Sequence, residues 1–212
     1  YLRLPYAEIE HRLRNIATRG IAMGPGESLR TLYDERIPHY ERNADIVLDC
    51  AGQNLEETVS AVVAAFRAHA QGRYVLIHHW SLMYERIWSF RGMQNLLLDY
   101  YDSPEEVHAL HRAVAETENR LLLRAIREVQ PDGYMISDDL GGQKSLMMSP
   151  AMFRAFIKPY YQQIWGVARA HDIDVWLHTC GNVADIIGDL IECGLSVLHP
   201  IQKHTMDWEE IA

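Results

Sequence analysis

Cysteine is scarce in this chain: Cys50, Cys180 and Cys193 are the only three in 212 residues. An odd and sparse set excludes a disulfide framework and points to reduced thiols. No stretch reaches the roughly 18 consecutive apolar residues of a transmembrane helix, and the residues from Tyr1 onward lack the basic-then-apolar order of an export signal. No membrane association and a cytoplasmic location are therefore the expectation. Positive charge is also short, with 20 Lys and Arg against 29 Asp and Glu and a formal net charge of −9. That balance argues against a nucleic-acid partner. Fixed-period repeats and low-complexity segments are absent, which removes solenoids and linkers.

Apolar residues make up 48% and charged residues 23% of the chain, enough to build a core. One domain over residues 1–212 is expected. The chain opens at Tyr1 and stops at Asp207-Trp208-Glu209-Glu210-Ile211-Ala212, which reads as a helix just starting. A fragment is therefore expected, cut at the C-terminus and at the N-terminus as well.

Short apolar runs alternate with helix-period segments. Ile46-Val47-Leu48 precedes a helix from about Leu55 to His69, capped by Asn54 with Glu57 at the third helical position. Tyr74-Val75-Leu76-Ile77-His78 reads as a strand. Ser103-Pro104-Glu105-Glu106 predicts a capping box, followed by a buried stripe of Val107, Leu110, Val114, Leu121 and Ala125 that ends at Pro131-Asp132-Gly133. The strand Tyr134-Met135-Ile136-Ser137 follows. Ser149-Pro150 opens a helix carrying Phe153, Phe156, Tyr160, Ile164 and Val167 on one face, with a kink expected at Pro159. Val175-Trp176-Leu177-His178 is the next strand; a short helix capped by Asn182 and closed by Gly194 leads to Ser196-Val197-Leu198-His199.

Strands that each return through a helix imply parallel neighbours, so the fold class is α/β. No Gly-x-Gly-x-x-Gly turn follows any predicted strand, which disfavours a dinucleotide-binding sheet and favours a TIM (β/α)8 barrel. Since a complete barrel takes about 250 residues, this chain is expected to supply five or six of the eight units.

In parallel α/β folds the C-terminal strand ends converge on one face. Here they are polar: His78-His79-Trp80, Ser137-Asp138-Asp139, His178-Thr179-Cys180-Gly181 and His199-Pro200. His178 and Cys180 stand two residues apart, on the same side of the chain, and could share one metal ion. An inert buried cysteine is the bland alternative. Cys193, about 15 Å along the intervening helix, is a poor third ligand, and Cys50 reaches only if it ends a barrel strand. Asp138 and Asp139 project to opposite sides, so one of them is the candidate catalytic carboxylate and the other a cap for the turn. His78 and Trp80 are candidates for the wall of a site that takes a flat organic substrate.

In this order the motifs resemble the uroporphyrinogen decarboxylase (URO-D) superfamily from about Ile46 to Gln202. The segments that carry the resemblance are Phe90-Arg91-Gly92-Met93-Gln94-Asn95-Leu96-Leu97-Leu98-Asp99, Tyr101-Asp102-Ser103-Pro104-Glu105, Ser137-Asp138-Asp139-Leu140-Gly141-Gly142-Gln143, Ser149-Pro150 with Lys158-Pro159-Tyr160, and His178-Thr179-Cys180-Gly181-Asn182. The resemblance implies a barrel with its site at the C-terminal strand ends. It also implies one of two activities. One branch removes acetate carboxylates from a tetrapyrrole without a cofactor; the other moves a methyl group between a corrinoid protein and a thiol or tetrahydrofolate acceptor.

The His-x-Cys-Gly motif resembles the methyltransferase branch, in which His and Cys bind zinc together with a Cys from a late strand. By that match His178 and Cys180 are the ligands, and the late Cys would lie beyond Ala212. Gln143 and His199 join His78 and Trp80 as substrate-binding candidates, and Asp138 or Asp139 would orient the acceptor. The decarboxylase branch is marked by an Arg-rich motif that clamps carboxylates; Gly72-Arg73-Tyr74 lies before a strand rather than after one and does not supply it. The leading expectation is thus a zinc-assisted methyltransferase with a corrinoid protein as partner. The alternatives are uroporphyrinogen III decarboxylase and a non-catalytic corrinoid or metal carrier. A homo-oligomer stays open.

Overall fold

The computed structural model describes residues 1–13, 24 and 26–207. The helix expected to begin at Asp207-Trp208 falls outside these residues except for Asp207. The chain divides into two compact units, Tyr1–Gln71 and Gly72–Ala212.

In the first unit β1 (Leu2–Arg3) pairs in parallel with β2 (Leu48–Asp49), Leu2 opposite Leu48. Between them run α1 (Tyr6–Arg12) and α2 (Leu29–Asn43). After β2 comes α3 (Leu55–His69), and the expected cap is present in full: the Asn54 side chain accepts from the Glu57 N–H at 3.0 Å while the Glu57 carboxylate accepts from the Asn54 N–H at 2.8 Å. Cys50 is buried in this unit, with its thiol facing the carbonyl of Leu48.

The second unit holds a parallel sheet of β3 (Leu76–His79), β4 (Gly133–Ser137), β5 (Asp174–His178) and β6 (Val197–His199), side by side in chain order. α4 (Tyr84–Arg91), α5 (Met93–Asp102) and α6 (Pro104–Glu128) connect β3 to β4. α7 (Pro150–Met152) and α8 (Lys158–Arg169) connect β4 to β5, and α9 (Ile187–Cys193) connects β5 to β6. The strand order never reverses, so the described strands contain no switch point of the doubly wound kind. Among the described residues the sheet does not close into a barrel.

Parity and register sort every side chain of this sheet. Tyr134 and Ile136 on β4 and Val175 and Leu177 on β5 are buried among the helices, because alternate residues point to opposite faces. His78 is opposite Met135, Ser137 is opposite His178, and His178 is opposite His199, so all of these lie on the other face.

Three local expectations are corrected. Ser103 makes no cap hydrogen bond to α6. It also terminates α5, its N–H donating to the Asp99 carbonyl at 2.9 Å, and its φ of −143° and ψ of 53° leave the extended geometry a cap requires. The buried stripe of α6 is Val107, His111, Ala115, Glu118 and Leu122, while Leu110 and Leu121 are exposed. Two polar residues took core positions that hydrophobicity assigned to leucines. Pro159 does not kink a continuous α-helix: the turn Phe153–Ile157 before it is wound as a π-helix, which places Pro159 in the first turn of α8, where no N–H is needed.

Candidate metal centre

The C-terminal ends of β3 to β6 bring one set of side chains together on the face away from the helices. His178 Nε2 lies 3.6 Å from Cys180 Sγ and 4.0 Å from Asp139 Oδ1. On the other edge of its ring, His178 Nδ1 is 3.0 Å from His199 Nδ1. Trp80 stacks on His178 with 6.4 Å between centroids and meets His78 edge-on at 5.3 Å. His78 Nε2 in turn lies 3.2 Å from the Ser137 hydroxyl. Trp80 is 65% exposed, so its outer face is open to a ligand.

Parity separates the two carboxylates. Asp139 follows Ser137 on the face of His178 and accepts from the Cys180 N–H at 2.7 Å. Asp138 faces the helices and is completely buried. Its carboxylate accepts from the N–H groups of Met83, Tyr84 and Glu85 at 2.9, 3.0 and 2.7 Å, and from the Tyr161 hydroxyl at 2.8 Å. It thereby anchors the N-terminus of α4, where the helix dipole favours an anion. Burial pushes the Asp138 carboxyl up, against the pull of these four donors. Every oxygen of Asp138 is thus engaged on the side away from His178 and Cys180.

His79, one residue from His78, likewise faces the helices. Arg86 Nη2 lies 3.1 Å from its Nε2, and the buried Glu118 carboxylate lies 2.6 Å from its Nδ1, outside hydrogen-bond alignment. Gln143 is exposed in the turn closed by the Gly142 N–H to Ser145 carbonyl bond of 2.7 Å, and it touches none of the cluster. Cys193 is buried on α9 with its thiol toward the Lys158 carbonyl at 3.8 Å; burial pushes that thiol up to about 11.

The loops carrying the cluster are held in contact by two glycines. Gly181 has φ +82°, and a Cβ there would meet the Gly141 backbone at 2.3 Å. The crossing is pinned by the Asn182 N–H donating to the Gly142 carbonyl at 2.8 Å and by the Gly181 N–H donating to the Gln202 side chain at 2.9 Å. Gln202 is a contributor that sequence reasoning did not single out. Glu85 is another. Its carboxyl is pushed up by burial and then by the neighbouring charges of Asp138 and Asp139.

Among the described residues, Asp139, His178 and Cys180 form a group whose ligand atoms all lie within 4.8 Å of one another. The set fits zinc in its donor chemistry, and the His178–Cys180 pair fits in spacing. Bond lengths of about 2.05 Å to nitrogen and about 2.3 Å to sulfur place the two atoms about 3.6 Å apart at a tetrahedral angle, which is the His178–Cys180 separation. The Asp139 oxygen, 4.0 Å from His178 Nε2, stands roughly 0.6 Å beyond the about 3.4 Å that tetrahedral zinc sets between nitrogen and oxygen, so it would have to move inward to complete the same tetrahedron. Asp139, at the end of β4, is thus a candidate third donor within the described residues; parity from Ser137 was the signal that could have found it. Burial, followed by the Asp139 charge, raises the Cys180 thiol.

A family model described as Uroporphyrinogen decarboxylase (URO-D) matches residues 79–211, well over half of the chain. No curated protein matches it.

Proposed function

The chain belongs to the uroporphyrinogen decarboxylase (URO-D) family, and from that premise we propose that it is a methyltransferase, moving a methyl group between a corrinoid protein and a thiol or tetrahydrofolate acceptor. The observation that carries this reading is the convergence of one sulfur, one imidazole and one carboxylate at the strand ends. The unbroken parallel order of β3 to β6 supports reading the sheet as consecutive units of a (β/α)8 barrel.

Asp139, His178 and Cys180 would hold zinc, and zinc would supply Lewis acidity that lowers the pKa of an acceptor thiol. The chain's own residues do the rest. Cys180 would be the soft ligand, binding as its thiolate. Asp139 supplies negative charge and holds the Cys180 backbone through the 2.7 Å hydrogen bond. Trp80, with His78 behind it, offers a flat wall along which an acceptor or the corrinoid edge can lie. Asp138 keeps α4 in place and does not touch substrate.

Among the described residues no Arg joins the cluster to pair with the carboxylates of a tetrapyrrole, which favours methyl transfer over decarboxylation. The test is metal content of the purified chain together with methyl transfer from a methylated corrinoid protein to a panel of thiols and tetrahydrofolate. One equivalent of zinc and transfer abolished by Cys180→Ala is the expected result. Conversion of uroporphyrinogen to coproporphyrinogen without any corrinoid would overturn the proposal, and stoichiometric zinc or corrinoid binding without turnover would assign a carrier instead.

A further inference from the structure

His199 belongs to the cluster but offers nothing to the cation position: its Nδ1 faces His178 Nδ1 at 3.0 Å, on the far edge of that ring from Cys180 and Asp139. Two neutral imidazoles joined through these nitrogens share a single proton, so one ring donates and the other accepts. Which of them donates decides whether the Nε2 of His178 carries a lone pair or a proton. Only the lone pair can bind a cation.

We propose that His199 is a positioning residue: it accepts the Nδ1–H of His178, which fixes His178 in the tautomer whose Nε2 lone pair points at Cys180. Cys180 Sγ lies 3.6 Å from that Nε2, within hydrogen-bond reach of a sulfur. Trp80 lies over the His178 ring at an interplanar angle of 28°, with 6.4 Å between centroids, and the hydrogen bond selects the proton position. His178 and His199 are directly paired in register across β5 and β6, which makes the contact a product of the sheet. The opposite tautomer would direct an Nε2–H toward Asp139 at 4.0 Å and close the site to a cation. Hydrogen-bond partners on the far nitrogen of a ligating histidine commonly change metal affinity by about 10–100-fold.

This inference rests on the zinc reading of Asp139, His178 and Cys180, and the experiment separates the two. In the metal-free full chain, long-range nitrogen–proton NMR of the histidine rings reports the tautomer of His178 directly. The expected result is a protonated Nδ1 in the native chain and in His199→Asn, whose side-chain oxygen retains an acceptor, with the proton moving to Nε2 or exchanging between both nitrogens in His199→Leu. Zinc affinity, measured by chelator competition, is expected to fall about 10–100-fold in His199→Leu and to be largely restored in His199→Asn. Cobalt(II) loading gives a thiolate charge-transfer band that is expected to weaken in the same order. A native His178 protonated on Nε2, or equal affinities in His199→Leu and His199→Asn, overturns the inference. A native chain with the expected tautomer that binds no zinc or cobalt overturns the zinc reading and leaves the positioning role standing.

Discussion

The backbone N–H of Cys180 donates to Oδ1 of Asp139 at 2.7 Å, so one carboxylate ties the end of β5 to the end of β4 and stands beside His178 and Cys180 in the candidate metal group. Its neighbour Asp138 points the other way and spends its carboxylate on four donors of the helical layer. Two adjacent residues of the same type thus face opposite layers, Asp139 the candidate metal group and Asp138 the helices.

That division makes opposite demands on the two side chains. Asp139→Asn keeps an acceptor for the Cys180 N–H but withdraws the charge. Zinc affinity is expected to drop at least about 100-fold, since a ligand is lost, while the thermal midpoint stays within about 2 °C. Chelator competition and calorimetry on one preparation check both.

Asp138→Ala is expected to destabilise the chain by on the order of 3 kcal/mol or more, because it strands three backbone N–H groups and the Tyr161 hydroxyl in a buried site. Asp138→Asn, which keeps part of the acceptor set, should lose less. Urea unfolding ranks the two; a Asp138→Ala chain as stable as the native one would remove the anchoring role.

The glycine crossing is a second structural dependency. Gly181→Ala must adopt φ +82° and push on the Gly141 backbone, a cost of at least about 2 kcal/mol that should also displace Cys180 and weaken metal binding. Gly166→Ala is the control. Nothing lies within 4 Å of a Cβ there, in the interior of α8, so a gain of about 0.5–1 kcal/mol is expected.

His111 sets a pH dependence. It is fully buried among aromatic rings, 5.1 Å from Tyr160 and 6.3 Å from Tyr100, and burial pushes its pKa down to about 3. The unfolded imidazole, with a pKa of about 6.5, takes up a proton that the folded one refuses. Its contribution to stability is therefore fully present above about pH 6.5 and is lost as pH falls toward 3, by up to about 1.4 kcal/mol per pH unit. His111→Leu should flatten that slope between pH 6 and pH 4 in urea titrations; an unchanged slope would show that another group sets it.

Local patterning carried far in this chain. The alternation of short apolar runs with helical segments led directly to β3 to β6, and the Asn54–Glu57 cap is a contact between residues three apart, which the sequence alone determines. Period-two geometry likewise brought His178 and Cys180 to one side, and the 3.6 Å contact follows from that spacing. What lay beyond reach were relations set by partners distant in sequence. Hydrophobicity assigned the core stripe of α6 to Leu110 and Leu121, whereas Glu118 is buried there against His79 and Arg86, and His111 among Tyr100 and Tyr160. The roles of Asp138 and Asp139 were separated the same way, by the helix N-terminus that covers one and the imidazole that faces the other. A residue type states which contacts it can make; only the packed chain brings the partner that makes one of them.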